Sequence, residues 1–501
     1  MEKISQNNIA KLGDKYMVDI PDNNLENITK NVNKLISDVD NIYELTNPNL
    51  SSDIKKVKAK NREWWEPTEN PHNAISTMCE VTGKNNGELS DMTIGLKDII
   101  AVAGVPLRCG SAVMRGFIPG KDALVVDRIL SAGGNITAKT NLDEFAGSAR
   151  GTTGYGPNIH NPYDKNRTAG GSSGGSAVVV STGEVDTALG TDTGGSVRIP
   201  ASFCGVVGLK PTYGLIPLTG VVENTYTQDH VGIFSNSVYE TAQLLDVLAG
   251  PDQADQASMS AAGKTSYQCG GYQQSLSESK YITDIDVGIV EEGTGDGISK
   301  LVNKKFDSIC EDLQDLGANV SKLSINGFHC GKSIKNILSF VELATHWRDG
   351  GVPYRRGGVD EIYQTGFAQA RKASSNRLGD YYASKLLAGA HIIERSDGNH
   401  YTRAQAAREE LRKEIKKKFG QFDVLLLPTM PDIAPKTENA SNWEYDYARN
   451  TRLANVTRLP AITLPVDTDE GLPIGIQLMG PAFSERKLLK IALTFEEDLL
   501  N

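Results

Sequence analysis

Three short segments of the sequence carry residue types that could together perform nucleophilic catalysis. Two are glycine-rich loops that contain serines, at residues 170–176 (GGSSGGS) and 190–200 (GTDTGGSVRIP). The third is Lys97-Asp98, which follows Gly95 and precedes an apolar run. A serine hydroxyl is a poor nucleophile that needs a neighbouring base, and a lysine can be that base when burial favours its neutral form. The segments therefore predict a serine activated by a lysine, with neither histidine nor metal.

The second loop also predicts a site that stabilises negative charge. Gly194 and Gly195 directly precede Ser196, and glycine lets backbone N–H groups turn toward a ligand. Such donors can form an oxyanion hole, where each contributes about 3 kcal/mol to the transition state. Neither loop contains the Gly-Lys-Ser/Thr of a phosphate-binding loop. Taken alone, however, each loop could be a tight turn, and Lys97 could be a structural lysine paired with a core carboxylate.

An α/β-hydrolase nucleophile elbow is a competing interpretation of the first loop. Residues 170–174 satisfy its G-x-S-x-G pattern, but glycine and serine are abundant in this region. That fold requires an acid and then a histidine after the serine. The histidines that follow stand in no recognisable catalytic context: 230, 329, 346, 391 and 400. We therefore disfavour the elbow.

Composition excludes several classes of function. No run of eighteen apolar residues occurs, so we expect no membrane span, and the N-terminus lacks a secretory signal, which favours the cytoplasm. The net charge of −10 argues against a nucleic-acid partner. Six cysteines without a C-x-x-C pair indicate neither a zinc ribbon nor a redox motif. We expect no cofactor and no bound metal.

The distribution of apolar segments predicts an α/β protein with helical additions. Short apolar runs alternate with helical patterns from about residue 94 to 250, and strand-like runs return at 424–427, 461–465 and 474–479. Residues 25–43 show the apolar spacing of an amphipathic helix. The predicted domains are an N-terminal helical appendage (1–70), a catalytic core (71–275 and 420–501) and a mostly helical inserted small subdomain (276–419).

Several blocks of the chain, in the right order and spacing, resemble the amidase signature family. They are Gly95–Asp98, Gly170–Ser176, Gly190–Pro200, Phe203–Thr212 and Gly471–Gln477. The resemblance covers about residues 60 to 495. It implies the amidase signature fold, a mixed twisted β-sheet core flanked by helices.

The resemblance also implies a Ser–cisSer–Lys triad. Ser196 would be the acyl nucleophile, Ser172 would relay the proton after a cis peptide bond from Gly171, and Lys97 would be the base. Backbone N–H groups of the second loop would bind the oxyanion, namely those of Thr193, Gly194, Gly195 and Ser196. Four further residues would orient the loops: Gly171, Ser173, Asp192 and Arg198.

Two activities within the family fit these blocks. We favour a stand-alone amidase, a homodimer that hydrolyses small carboxylic amides to acid and ammonia or amine without nucleic acid, because the N-terminal appendage resembles that of bacterial amidases. The alternative is the glutamine-hydrolysing A subunit of a tRNA-dependent amidotransferase. In that protein an acid lies about a dozen residues before the equivalent of Leu459-Pro460, where this chain has Ala448, and Asp446 is out of register. A binding scaffold without activity is disfavoured, since the triad is complete.

The walls of the substrate pocket are predicted only coarsely. We expect them to come from the loop at 145–160, from residues near 225–235 and from the helical insert. Thr227, Asp229 and Tyr354 are candidates for the pocket, although we assign none of them a catalytic role. The acyl group cannot be deduced from these segments.

Overall fold

The computed structural model describes residues 3–36, 62–277, 283–351, 361–468 and 471–499. The chain divides into two compact units, Met1–Val57 and Lys58–Asn501. The described part of the first unit contains helices α1 (Gln6–Tyr16) and α2 (Leu25–Ile36). Helix α1 begins where the Ser5 side chain accepts a hydrogen bond from the N–H of Asn8, an ordinary N-cap. The helix predicted over 25–43 begins as expected, and residues 37–43 lie outside the described residues.

The second unit is built on one mixed sheet of twelve described strands. In chain order they are β1 (Arg62–Trp65), β2 (Ile75–Thr82), β3 (Thr93–Lys97), β4 (Asn135–Thr140), β5 (Thr187–Thr191), β6 (Val207–Lys210), β7 (Val231–Ser235), β8 (Asp286–Val290), β9 (Asn319–Leu323), β10 (Val424–Pro428), β11 (Ala461–Val466) and β12 (Ile474–Met479). Their order in the sheet is β1-β2-β4-β3-β5-β7-β6-β11-β12-β10-β8-β9.

Helices of this unit flank the sheet. They are α3 (Leu124–Ser131), α4 (Gly174–Ser181), α5 (Arg198–Cys204), α6 (Val238–Leu248), α7 (Gln256–Ala262), α8 (Tyr272–Leu276), α9 (Lys300–Asp315), α10 (Cys330–Arg348), α11 (Glu361–Ser374), α12 (Asp380–Ser396), α13 (Asn399–Lys418), α14 (Arg452–Thr457) and α15 (Glu485–Asp498). The predicted architecture, a mixed sheet core flanked by helices, is confirmed.

The centre of the sheet brings the predicted reactive segments to one edge. Strand β3 pairs in parallel with both β4 and β5, with Leu96 opposite Leu189. Because parallel strands end at the same edge of a sheet, Lys97 at the end of β3 and Thr191 at the end of β5 become neighbours. Helix α4 starts just after Ser172, and its apolar residues are buried against β5 and other core segments. Burial of this helix fixes the first serine loop beside the strand ends.

The structure places two boundaries differently from the sequence prediction. Strands β8 and β9 fall within the predicted helical insert at 276–419, yet they pair in parallel with β10 and with each other in the main sheet. Strand β1 falls within the predicted appendage at 1–70, yet it pairs with β2. The place of these short strands in the sheet depends on pairing with distant segments, so local pattern could not assign them to the core. The rest of the domain division stays a prediction.

No helix in the described ranges is long and apolar enough to cross a membrane.

Candidate active site

Lys97 is fully buried at the end of β3 and faces two hydroxyl groups. Hydrogen bonds join its Nζ to Ser172 Oγ at 2.7 Å and to Thr191 Oγ1 at 2.8 Å. Burial lowers the pKa of Lys97 to about 7, against the opposing pull of nearby carboxylates, chiefly Asp143 and Asp192. Near neutral pH a large share of this amine is therefore unprotonated. An unprotonated amine at 2.7 Å from a serine hydroxyl can accept its proton.

The carboxylate next to Lys97 in sequence serves a different lysine. Asp98 is fully buried and forms an ion pair with Lys139, with 2.7 Å between Oδ1 and Nζ. Its other oxygen accepts hydrogen bonds from Ser76 Oγ at 3.0 Å and from the N–H of Arg108 at 3.2 Å. The lysine that pairs with a core carboxylate is therefore Lys139 and not Lys97.

A buried carboxylate that the sequence analysis missed supports the first serine loop. The Gly171–Ser172 peptide bond is cis. Asp143 accepts hydrogen bonds from the N–H groups of Gly151 and Thr153, each at 2.9 Å, and its own N–H donates to Ser172 O at 3.3 Å. A Cβ on Gly171 would stand 2.0 Å from Asp143 Oδ2, so this position accepts only glycine. The signal for Asp143 was its place just after β4, at the edge where Lys97 lies.

Ser173 ties the two glycine-rich loops together. Its N–H donates to Ser196 O at 3.3 Å. Its hydroxyl donates to Thr191 O at 3.1 Å and lies 3.2 Å from the Thr191 N–H. These bonds fix the loop of Ser172 against the loop of Ser196.

The Asp192 carboxylate holds the second loop in place through hydrogen bonds. It accepts hydrogen bonds from the N–H groups of Gly195 at 2.8 Å and Val197 at 3.2 Å, and from Arg198 Nε at 3.0 Å. Burial by itself would raise the pKa of Asp192, but the charge and hydrogen bonds of Arg198 prevail and hold it well below its ordinary value. The carboxylate stays ionised and anchors both the turn and the arginine.

Arg198 in turn is held by residues from the far end of the chain. Its Nη1 donates to Gln477 Oε1 at 2.5 Å and to Thr451 O at 2.7 Å, and its Nη2 donates to Asn455 Oδ1 at 2.7 Å. Sequence analysis missed these three partners, because no local pattern links them to the serine loop. The shape of the loop therefore depends on β12, on α14 and on the residue that precedes α14.

The backbone donors predicted for an oxyanion hole are not equivalent. The Gly195 N–H is engaged by Asp192, whereas the N–H groups of Thr193, Gly194 and Ser196 meet no acceptor in the described part of the chain. Gly195 has a φ of +126°, and a Cβ there would stand 2.1 Å from Thr451 Oγ1. The three unengaged N–H groups are the ones available to receive a ligand oxygen.

A cavity of about 320 Å³ opens beside these donors. Ser196, Gly194 and Thr193 form its floor, and its walls come from residues 146–150, from helices α10 and α12, and from the segment 440–452. The predicted walls at 145–160 and in the helical insert thus contribute. Near 225–235, Asn224 lines the cavity. Asp229 accepts a hydrogen bond from Thr193 Oγ1, and Thr227 donates one to Glu342. Tyr354 lies outside the described residues.

The cavity is rich in cations. Five basic side chains line it: Arg150, Lys332, Lys335, Lys385 and Arg452. Asp446 is the sole acidic side chain among the described lining residues, and it forms ion pairs with Arg452 and, at 3.3 Å, with Lys332. The sequence analysis discounted Asp446 as out of register, but the structure places it in the same cavity as Ser196.

Comparison with known proteins identifies the family. The sequence model of the amidase family (Amidase) matches residues 51–489, and the chain belongs to that family. It is an amidase-family hydrolase that acts on C–N bonds, with the amidase signature fold. A relative from Halobacterium salinarum, the A subunit of a glutamyl-tRNA(Gln) amidotransferase, is 36% identical over 434 residues, covering 85% of this chain and 99% of the relative.

Two solved structures extend the comparison. The A subunit of the glutamyl-tRNA(Gln) amidotransferase of Thermotoga maritima is 28% identical, with a TM-score of 0.71 over 86% of this chain and 89% of that one. The peptide amidase of Stenotrophomonas maltophilia is 27% identical, with a TM-score of 0.68 over 82% of this chain and 83% of that one. Both kinds of enzyme therefore share the fold.

These relatives correct the activity that the sequence analysis favoured. The similarity to amidotransferase subunits contradicts a stand-alone amidase of small amides that works as a homodimer without nucleic acid, so that prediction is wrong. The signature blocks serve both activities and could not separate them. The choice depended on the resemblance of the N-terminal appendage to that of bacterial amidases and on the register of Asp446, and the position of Asp446 in the cavity removes the second argument.

Proposed function

We propose that this chain is the glutamine-hydrolysing subunit of a tRNA-dependent amidotransferase. The observation that carries the proposal is the similarity to the A subunit of glutamyl-tRNA(Gln) amidotransferase, at 36% identity over 99% of the relative's length. The expected reaction releases ammonia from glutamine, and a partner subunit uses that ammonia on glutamyl-tRNA. Since charged tRNA is the acceptor, we expect the reaction in the cytoplasm.

The charges of the cavity support glutamine as the substrate. Free glutamine carries an ammonium and a carboxylate at the end opposite its side-chain amide. The cavity offers Asp446 for the ammonium and an excess of basic side chains for the carboxylate, while Ser196 stands on its floor. A simple aliphatic amide would supply no anion for the excess of basic side chains, which is unfavourable in a partly desolvated site.

The hydrogen bond between Lys97 and Ser172 supports an acyl-enzyme mechanism. Ser196 Oγ attacks the amide carbon as its proton passes to Ser172, whose own proton moves to the neutral amine of Lys97 at 2.7 Å. The developing oxyanion accepts hydrogen bonds from the unengaged N–H groups of the loop, chiefly those of Thr193 and Gly194. The C–N bond then breaks, the proton held by Lys97 returns through Ser172 to the nitrogen, and ammonia leaves.

The second half of the reaction reverses the relay. A water molecule gives its proton through Ser172 to Lys97 and attacks the acyl carbon. The bond to Ser196 Oγ breaks, the serine recovers its proton, and glutamate leaves. Ser196, Ser172 and Lys97 carry every proton transfer in both halves of the reaction.

The test separates glutamine hydrolysis from use of ammonia. The full-length chain would be tagged, purified with its partners from its own cells, and assayed for conversion of glutamyl-tRNA to glutaminyl-tRNA. Glutamine would be the nitrogen donor in one reaction and ammonium chloride in the other. We expect Ser196→Ala to abolish the glutamine-dependent conversion and to retain the ammonium-dependent one, because added ammonia bypasses the serine.

The matched control for Ser196→Ala is a serine variant away from the cavity. Ser277→Ala removes an exposed serine outside the cavity and should behave as the parent does. The proposal is overturned if the parent complex converts no glutamyl-tRNA with either donor. It is also overturned if Ser196→Ala leaves glutamine-dependent conversion intact.

A further inference from the structure

The basic side chains of the cavity differ in whether the protein already pairs them. Arg452 and Lys332 are both engaged by Asp446. The Lys385 ammonium donates to the carbonyl oxygen of Gly147. Each of these three cations already interacts with another group of the protein, so it is less available to a ligand.

Lys335 lacks any such partner. No hydrogen bond or ion pair to its ammonium is found in the ranges that the structure describes, although the side chain is partly buried in the cavity wall. A Cβ placed on Gly194 would lie 3.1 Å from Lys335 Cε, so the lysine packs directly over the loop that carries Ser196. Burial, with some help from the charge of Arg452, lowers the pKa of Lys335 to about 8. A cation in this setting gains most from an anionic ligand.

Helix α10 places this lysine next to the acid of the cavity. Lys332 and Lys335 are three residues apart and therefore lie on one face of the helix. Lys332, the more exposed of the two, reaches Asp446, while Lys335 reaches the floor at Gly194. A ligand with an ammonium near Asp446 and a carboxylate near Lys335 needs both groups close together. An α-amino acid, whose two groups share one carbon, meets that requirement.

We propose that Lys335 binds the carboxylate of the substrate and so selects amides whose acyl chain carries an acid group. This inference rests on the proposed function only in taking glutamine as the physiological member of that class. Arg150 is the competing anchor, but its guanidinium lies over the ring of Tyr381 at 4.4 Å and is oriented by that contact. Among the described residues, Lys335 is the cation that packs on the serine loop and whose ammonium has no hydrogen bond or ion pair.

Two truncated analogues of glutamine test the assignment. Glutaramate keeps the carboxylate and lacks the amino group, whereas 4-aminobutanamide keeps the amino group and lacks the carboxylate. The readout is the ratio of kcat/KM for ammonia release from glutaramate to that from 4-aminobutanamide. We expect Lys335→Met to lower this ratio about tenfold or more, as loss of a charged hydrogen bond does, and Lys335→Arg to restore part of it.

Two further variants make the comparison specific. Lys413→Met removes an exposed lysine of α13 that is paired with Glu410, and its ratio should match that of the parent. Asp446→Asn should move the ratio in the opposite direction, because it weakens the site for the amino group. An unchanged ratio in Lys335→Met, or an equal loss on both analogues, overturns the proposal.

The same variants and analogues distinguish a failure of this proposal from a failure of the proposed function. If the isolated chain turns nothing over, binding of glutaramate to Ser196→Ala is measured by calorimetry. Binding that weakens tenfold when Lys335→Met is added supports the proposal, and an absence of binding overturns it. If the parent cleaves glutaramate but not glutamine, and Lys335→Met lowers the ratio, the carboxylate site stands while the proposed function falls.

Discussion

Two buried lysines on neighbouring strands have different partners. Lys97 ends β3 and Lys139 lies in β4, opposite Leu96 in the parallel register, and neither is exposed to solvent. Lys139 faces the carboxylate of Asp98, and the two form an ion pair. Lys97 instead donates to the hydroxyls of Ser172 and Thr191. Burial is equal, so the difference shows that the partner decides whether a buried lysine stabilises the core as an ion or becomes available as a base.

The largest effect should come from removing the base. Lys97→Met is expected to lower kcat for glutamine hydrolysis about 10³-fold, because a positioned general base contributes on this scale. Ammonia release measures the loss, and circular dichroism checks that the variant is folded. Retention of more than a tenth of the parent rate would show that Lys97 is not the base.

Removing the other lysine should act on stability. Lys139→Met leaves the carboxylate of Asp98 buried without its cation, so we expect the free energy of unfolding to fall by about 3–5 kcal/mol. Lys97→Met leaves no ion pair broken and should cost less. Urea unfolding measures both, and the double variant Asp98→Asn with Lys139→Met should recover part of the loss. Equal destabilisation by the two methionine variants would remove the distinction between the lysines.

The pH profile should report the titration of Lys97. The proposed base is the neutral amine of Lys97. Because the pKa of Lys97 lies at about 7, its neutral fraction rises with pH and levels off above that value. We expect kcat, measured at saturating glutamine, to increase about tenfold between pH 6 and pH 8. Initial rates across this range give the profile. A rate that falls as pH rises would contradict a lysine base.

The smallest effect should come from the second hydroxyl partner. Thr191→Val removes one hydrogen bond from Lys97 and keeps the side-chain shape. A single hydrogen bond contributes about 0.5–1.5 kcal/mol, so kcat/KM should fall between about twofold and tenfold. Thr187→Val, at the other end of β5, serves as the control. A loss as large as that of Lys97→Met would mean that Thr191 has a larger role in the relay.

Local sequence indicated the two glycine-rich loops because their predicted function needs residues close together in the chain. The glycines that precede Ser196 and the apolar surroundings of Lys97 could be recognised from short patterns. The strands at 424–427, 461–465 and 474–479 were also predicted, since each is a compact apolar run. Short periodic segments thus carry most of the information on fold class.

The cavity wall could not be predicted in the same way. Lys335 and Asp446 are more than a hundred residues apart and meet only after folding, so no spacing relates them. The sequence of α10, which holds Lys335, and that of the segment that holds Asp446 are also each typical of a polar surface. Helices α7 and α8 could not be predicted for a different reason, because they lie in a polar stretch whose composition is typical of a loop.

The dependence of Arg198 on Thr451, Asn455 and Gln477 has a consequence for synthesis of the chain on the ribosome. When the serine loop emerges, the residues that hold its arginine are more than 250 positions from being made. Until they arrive, the guanidinium keeps Asp192 but lacks its C-terminal acceptors. The nascent chain therefore carries the loop of Ser196 without its full set of supports, and we expect hydrolysis only once α14 and β12 have docked.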